Sequence, residues 1–189
     1  MMIEAEIERA GLQVQRDGHP STGLSRPDFY DWEAQIPRLG DLASTRGVLV
    51  YLGGNDAQAF RLREGEYPAG APESRRWIQF RDEARWSEAY RQRVHRFVDA
   101  LCQAGAPKVV MIPPIDGEDP RHGERIRRIQ RLQVEGPRGT RCGVVADPSE
   151  VELGPELAGD GVHLNRAGAR AVWAHIGPVI LGAIQRVGQ

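Results

Sequence analysis

The sequence predicts an α/β layer fold on two observations: short Val-rich runs bounded by Gly, Pro or Asp recur along the chain, and longer stretches of helical periodicity stand between them. The runs "GVLVYLG" (47–53), "KVVMIPP" (108–114) and "CGVVAD" (142–147) are apolar without polar alternation, as expected of strands covered on both faces of a parallel sheet. A weaker strand is expected at "LQVQRDG" (12–18). Residues 83–104 place Ala84, Tyr90, Val94, Phe97, Val98 and Leu101 on one helical stripe, and Gly105 stands where a C-terminal cap belongs. A last helix is expected after Asn165, a good N-cap, running through Val172, Trp173, Ile176, Ile180 and Ile184, with Pro178 expected to kink or break it. Residues 61–82 carry Gly and Pro without a clear period, and 116–141 are polar with five Arg between 121 and 131. Both read as surface excursions, the second holding a short helix.

Composition narrows the class. A chain of 189 residues with 40% apolar content suits one domain, 1–189, able to bury a core without disulfides or a structural metal. The charges nearly cancel, 25 basic against 26 acidic, so no long-range field favours nucleic acid or an anionic membrane. The same balance argues against nucleic-acid binding through the Arg cluster at 121–131. Cys102 and Cys142 lack Cys-x-x-Cys or Cys/His ligand spacing, so no metal site or redox motif is supported, and a disulfide between them is allowed but has no support in the sequence. No apolar run approaches the length of a membrane span, and the opening "MMIEAEIERAG" is acidic and amphipathic rather than a signal peptide. As written, the chain is expected to be cytoplasmic.

Three short stretches carry chemistry. In "YLGGNDAQ" a strand ends in Gly53-Gly54-Asn55-Asp56, at the edge where ligands of open α/β sheets bind. An Asn there can donate its amide to a developing oxyanion, although Gly-Asn-Asp is also common turn chemistry. In "DGVHLNRAGA" Asp160 precedes His163 by three residues just ahead of the last helix; a carboxylate so placed can orient an imidazole as general base. In "STGLSRPDFYDW" (21–32) Gly23 lies in a small-residue turn, where the lack of a Cβ lets a backbone N–H approach a substrate oxygen. Each stretch alone is weak, because turns and chance Asp-x-x-His pairs are frequent.

Taken together, the order and strand context of these stretches resemble the SGNH (GDSL-type) hydrolases over the whole chain. The resemblance rests on Gly23, on Gly53-x-Asn55-Asp56 and on Asp160-x-x-His163. It implies a flavodoxin-like three-layer αβα sandwich with a mainly parallel sheet, and ester hydrolysis or acyl transfer at its carboxyl edge. The implied catalytic dyad is Asp160 and His163, the implied oxyanion hole Gly23 and Asn55, with no cofactor and no metal. "STGLSRPDFYDW" further resembles a bacterial subgroup of exported SGNH proteins.

The family's nucleophile is the Ser of a Gly-Asp-Ser block closing the first strand, and this chain has no such block. "MMIEAEIERAG" resembles the helix that follows that Ser, so the strand and nucleophile are expected immediately ahead of Met1, and with them a periplasmic or extracellular location. Ser21 and Ser25 stand near the oxyanion Gly but read better as turn and capping residues. Two functions are therefore carried forward: a serine esterase of small or glycan-borne acyl esters, O-acetyl glycans first, and a catalytically inactive module that binds a glycan or a protein. Tyr67, Trp77, Phe80 and Trp86 are read as a sugar-facing lid or, equally, a small satellite core.

Overall fold

Val109, Val110, Met111 and Ile112 are each at most 1% exposed, and the strand they form is the middle of the molecule. In the computed structural model, which describes residues 2–116, 120–154 and 163–187, the elements run α1 (Met2–Arg9), α2 (Trp32–Gln35), β1 (Val48–Val50), β2 (Phe60–Arg61), β3 (Trp77–Ile78), α3 (Glu83–Gln103), β4 (Val109–Met111), α4 (Pro120–Glu135), β5 (Gly143–Val145) and α5 (Arg166–Gln185). The main sheet is parallel in the order β1-β4-β5, with Val48 opposite Val109 and Val109 opposite Gly143. Among the described strands only β4 is buried at every residue; β1 and β5 flank it and are half-buried except at Val50.

The side-chain alternation of β4 divides the core in two. Val109 and Met111 face a cluster built with Trp86, Tyr90, Val94, Phe97 and Leu101 of α3 and with Ile129 and Leu132 of α4. Val110 and Ile112 face a second cluster with Ile7 of α1 and Val172, Ile176, Ile180 and Ile184 of α5. The result is an αβα three-layer α/β fold, helices α3 and α4 on one face of the parallel sheet and α1 and α5 on the other.

Helix α3 ends as its Gly105 requires: φ is +101°, the Gly105 N–H reaches the Cys102 carbonyl at 3.2 Å and the Ala106 N–H reaches that of Leu101 at 3.1 Å. This closure satisfies carbonyls that the helix leaves open. Asn165 caps α5, its Oδ1 accepting from Ala167 at 2.9 Å and Gly168 at 3.0 Å. Pro178 does not break α5, because it and Ala174, whose carbonyl loses the proline's missing donor, both face solvent. Long and apolar enough on length and composition to cross a membrane, α5 instead packs its Ile176 and Ile180 stripe against β4.

Three expectations are corrected. Residues 12–19 keep the inward placement of Leu12 and Val14 but form no ladder, since no strand among the described residues lies beside them. The polar stretch 116–141 holds a full 16-residue helix, α4, because Ile126, Ile129 and Leu132 give it a buried stripe while Arg125, Arg127 and Arg131 point outward. The excursion 61–82 contains all but Phe60 of an antiparallel ribbon, with Phe60 opposite Ile78 and Arg61 opposite Trp77.

Cys102 and Cys142 form a disulfide that ties the end of α3 to the start of β5 across a separation of 40 residues. Closing a loop of that length removes about 4 kcal/mol of denatured-state entropy on the chain-entropy account. Denaturant unfolding with and without reductant is expected to show a loss of that order. Asn165→Ala is expected to cost about 1 kcal/mol in the same measurement; an unchanged midpoint would remove the cap's role.

Candidate active site

The chain leaves β1 through Leu52 and turns sharply at Gly53, whose φ of +119° suits only glycine. A Cβ at Gly53 would also meet Gln133 Nε2 at 2.5 Å and Ile129 at 3.0 Å. The turn closes with the Asp56 N–H on the Gly53 carbonyl at 2.9 Å, leaving Asn55 exposed at the carboxyl end of the strand and Asp56 wholly buried beneath it.

Asp56 is met by donors. Its Oδ1 accepts from the Ser25 N–H at 2.7 Å and its Oδ2 from the Tyr90 hydroxyl at 2.7 Å; Tyr90 in turn accepts from Gln133 Nε2 at 2.8 Å. Burial raises the Asp56 carboxyl above the usual range, against the pull of the Ser25 N–H and Tyr90 O–H, which favour the ionised form. Burial and the neighbouring carboxylate push the Tyr90 phenol well up.

The same carboxylate holds the turn that carries Gly23. Thr22, Gly23, Leu24 and Ser25 are all buried, and polar contacts fasten them from several sides. Trp32 Nε1 donates to the Thr22 hydroxyl at 3.1 Å, which donates to the His19 carbonyl at 2.7 Å. Arg93 donates to the Leu24 carbonyl at 3.1 Å, and the Arg61 N–H to that of Ser25 at 2.8 Å. Asn55 Nδ2 makes a long 3.4 Å contact with the Thr22 carbonyl, so the candidate oxyanion donors Gly23 and Asn55 share one neighbourhood. The Gly23 N–H has no acceptor among the described residues.

Gly23 is required here for a different reason from the expected one. A Cβ would sit 2.9 Å from Asp56 Oδ2 and closer still to Oδ1, so the missing side chain makes room for a buried carboxylate.

Arg93, fully buried on the apolar stripe of α3, lies over the Phe60 ring with its guanidinium carbon 4.4 Å from the centroid and pairs with Glu66 at 2.6 Å. Burial pulls the Arg93 guanidinium down to about 10, opposed by Glu66 and helped by Arg63 and Arg96. It therefore stays charged at neutral pH. For Glu66, burial works upward but is outweighed by the Arg63 N–H, Arg93 and Arg96, which hold the carboxyl below its usual range.

His163 is exposed and stands two residues ahead of the α5 cap. The other end of α5 lies at the amino ends of β1 and β4: Ile184 is 3.0 Å from where a Cβ on Gly47 would be, and Arg46 donates to the Val187 carbonyl. A 20-residue helix spans about 30 Å, so its start lies toward the carboxyl ends of the strands, on the side where Asn55 stands. Asp160 lies outside the described residues. Ser25 is fully buried against Asp56, whereas Ser21 is exposed and, among the described residues, the single non-glycine with positive φ, +61°.

Of the four aromatics read as a lid or, equally, a satellite core, Trp86 is core at 0% exposure and Phe80 packs edge-on to it at 4.8 Å. Tyr67 and Trp77 line a groove of about 340 Å³ with Leu62, Pro68 and Ser74, and Arg26 and Arg61 each stack on Trp77 at 4.9 and 4.8 Å. Among the described residues no three His, Cys, Asp or Glu side chains are grouped to hold a metal.

Tyr90, Arg93 and Gln133 were hidden from sequence reading by their positions on helices. One signal existed: Trp86, Tyr90, Arg93 and Phe97 fall on one face of α3, so the guanidinium stands on an apolar stripe and demands a buried partner.

Residues 2–145 match the family described as protein of unknown function (DUF459), and the chain belongs to that family. No curated protein matches the sequence. Among solved structures the chain is similar to an acetyl esterase variant with a bound acetate ion, at 16% identity and a TM-score of 0.63, covering 99% of this chain and 91% of that one. It is similar to an alpha/beta hydrolase enzyme from the metagenome of Lake Arreo, Spain, at 15% identity and a TM-score of 0.59, covering 99% and 79%. A carbohydrate esterase family 3 protein from Talaromyces cellulolyticus matches at 16% identity and a TM-score of 0.58, covering 99% and 91%. These likenesses show the fold.

Because Glu66 is held below its usual range, its contribution to stability is present above the ordinary carboxylate value and is lost as pH falls through the folded one. Glu66→Gln is expected to destabilise the chain by about 3 kcal/mol at neutral pH by stranding Arg93, and to flatten the acid limb of the stability curve. Denaturant midpoints of both proteins between neutral pH and pH about 3 check this. An acid limb unchanged by the substitution would remove the assignment.

Proposed function

We propose that this chain is a serine-type ester hydrolase of the SGNH kind, acting on small O-acyl esters, O-acetylated glycans among them. The observation that carries the reading is the meeting of the Gly23 turn and Asn55 at the carboxyl end of β1, with the Gly23 N–H left without an acceptor among the described residues. In the reaction a serine Oγ attacks the acyl carbonyl and His163 takes its proton. Asp160 holds the imidazole, and the Gly23 and Asn55 N–H groups stabilise the oxyanion. His163 then returns the proton to the leaving alcohol, and water releases the acyl group by the same steps. The ribbon that bonds to Ser25 through Arg61 also forms the Tyr67–Trp77 groove, where guanidinium groups of Arg26, Arg61 and Arg76 lie over the rings and can donate to a glycan's hydroxyls. The Cys102–Cys142 bond supports an oxidising compartment, periplasmic or extracellular.

The nucleophile has two sources to separate. Val48 and Val50 bond to β4, so Leu49 and Tyr51 turn their backbone groups to the other edge of β1, where no strand lies among the described residues. A parallel strand ending in Gly-Asp-Ser along that edge would bring a serine to the site, and this is the source we favour. Ser21, exposed and in a strained backbone conformation beside Gly23, is the second.

The test is hydrolysis of p-nitrophenyl acetate by the 189 residues alone and by the chain extended with the residues encoded in frame ahead of Met1. The short chain is expected to be inactive or nearly so. The extended chain is expected to turn over, and His163→Ala to cost about a thousandfold or more. His163-dependent activity in the short chain that Ser21→Ala abolishes would assign the nucleophile to Ser21. Inactivity of both on every small ester would replace the enzyme with the glycan- or protein-binding module.

A further inference from the structure

We infer that Asp56 is a positioning residue whose carboxylate sets the distance between the Gly23 and Asn55 amides, with Tyr90 and Gln133 as its fixed supports; the inference rests on the esterase reading of this site. Asp56 follows Asn55 directly in the chain, so anchoring its carboxylate anchors the Asn55 backbone. One carboxylate oxygen accepts the Ser25 N–H at 2.7 Å, and Ser25 lies two residues beyond Gly23. The other accepts the Tyr90 hydroxyl at 2.7 Å, so the whole unit is referred to the rigid helix α3. Gln133 of α4 extends the chain of donors, giving Nε2 hydrogens to Tyr90 at 2.8 Å and to the Leu52 carbonyl at 3.2 Å, just where the strand becomes the turn.

All the bonds reaching Asp56 point the same way. Gln133 donates to Tyr90, Tyr90 donates to Asp56, and the Ser25 N–H donates to Asp56. A group that accepts on both sides closes such a network, and a carboxyl group does so with one oxygen on each side. An amide in its place sets its NH2 either against the Tyr90 hydroxyl, which already accepts from Gln133 and must still place its own proton, or against the Ser25 N–H. The two motif glycines complete the fit: a Cβ on Gly23 would enter the carboxylate, and one on Gly53 would come within 2.5 Å of Gln133 Nε2. The glycines thus keep the two loops in contact with the network, and the network keeps them apart by a fixed amount.

Donors of an oxyanion hole act on charge that develops after binding, so a change in their spacing is felt in turnover rather than in substrate affinity. Asp56 does not line the Tyr67–Trp77 groove that would hold the rest of a substrate. In the full-length protein, Asp56→Asn is expected to lower kcat about a hundredfold with KM little changed, and Tyr90→Phe, which removes one hydroxyl, about tenfold. The Asn55 side-chain and Gly23 backbone amide resonances are expected to shift in both variants while those of Val109–Met111 stay in place. If Asp56→Asn fails to fold, Tyr90→Phe carries the test alone. Unchanged kcat in a folded variant of an active enzyme overturns the positioning role, as do unshifted Gly23 and Asn55 resonances whether or not the protein turns over. A wild-type protein without turnover, in which those resonances do shift, instead overturns the esterase reading and leaves the positioning of the two loops standing.

Discussion

A carboxylate without solvent must be surrounded by hydrogen-bond donors, and Asp56 obtains them from two separate pieces of chain, the 22–25 segment and α3. That constraint organises the carboxyl end of the sheet. It draws the 22–25 segment against the β1 turn and fixes the turn to α3. Removing the donors would leave a buried charge whose cost exceeds that of any single apolar contact nearby. Arg93 applies the opposite charge to the same segment from the other side, holding the Leu24 carbonyl while Glu66 balances it. The small segment around Gly23 is thus held by hydrogen bonds to a buried carboxyl group and from a buried guanidinium.

Much of the fold was legible because the relevant signals are local. The Val-rich run at 108–114 carries its own evidence of two-sided burial, and β4 is buried at every residue. Gly105 and Asn165 each announce a helix end by side-chain or backbone chemistry that needs no tertiary partner. Helix α4 was less visible, since charged residues dominate its composition and only Ile126, Ile129 and Leu132 mark the stripe. The stretch 12–18 shows the opposite failure: its alternation is real, but a strand also needs a neighbour, and pairing is not a local property.

The candidate site was legible in part for the same reason. Gly23, Asn55 and His163 stand in recognisable short patterns, and Asn55 contacts the carbonyl of Thr22, the residue before Gly23. What the sequence could not express was the cause of Gly23. Its neighbour Asp56 is 33 positions away, and no spacing rule reveals that a missing methyl group leaves space for a carboxylate. Tyr90 and Gln133 were equally concealed, one counted as an ordinary core aromatic and the other as part of a polar surface. The disulfide was left open because two distant cysteines give no geometric information until α3 and β5 are brought side by side.

That disulfide also changes what kind of object the chain is. Between Cys102 and Cys142 the backbone and the sulfur bridge form a covalent ring, and inside the ring lie β4, the most buried strand, and the whole of α4. A protease that cuts one bond anywhere in this ring yields two polypeptides that remain a single molecule, still registered by the β1–β4 and β4–β5 ladders. Gln133 is carried within the ring and Asp56 outside it, so the hydrogen-bond chain linking them crosses the boundary. In an environment rich in proteases, such a nicked molecule retains the means to hold its two halves at the same site.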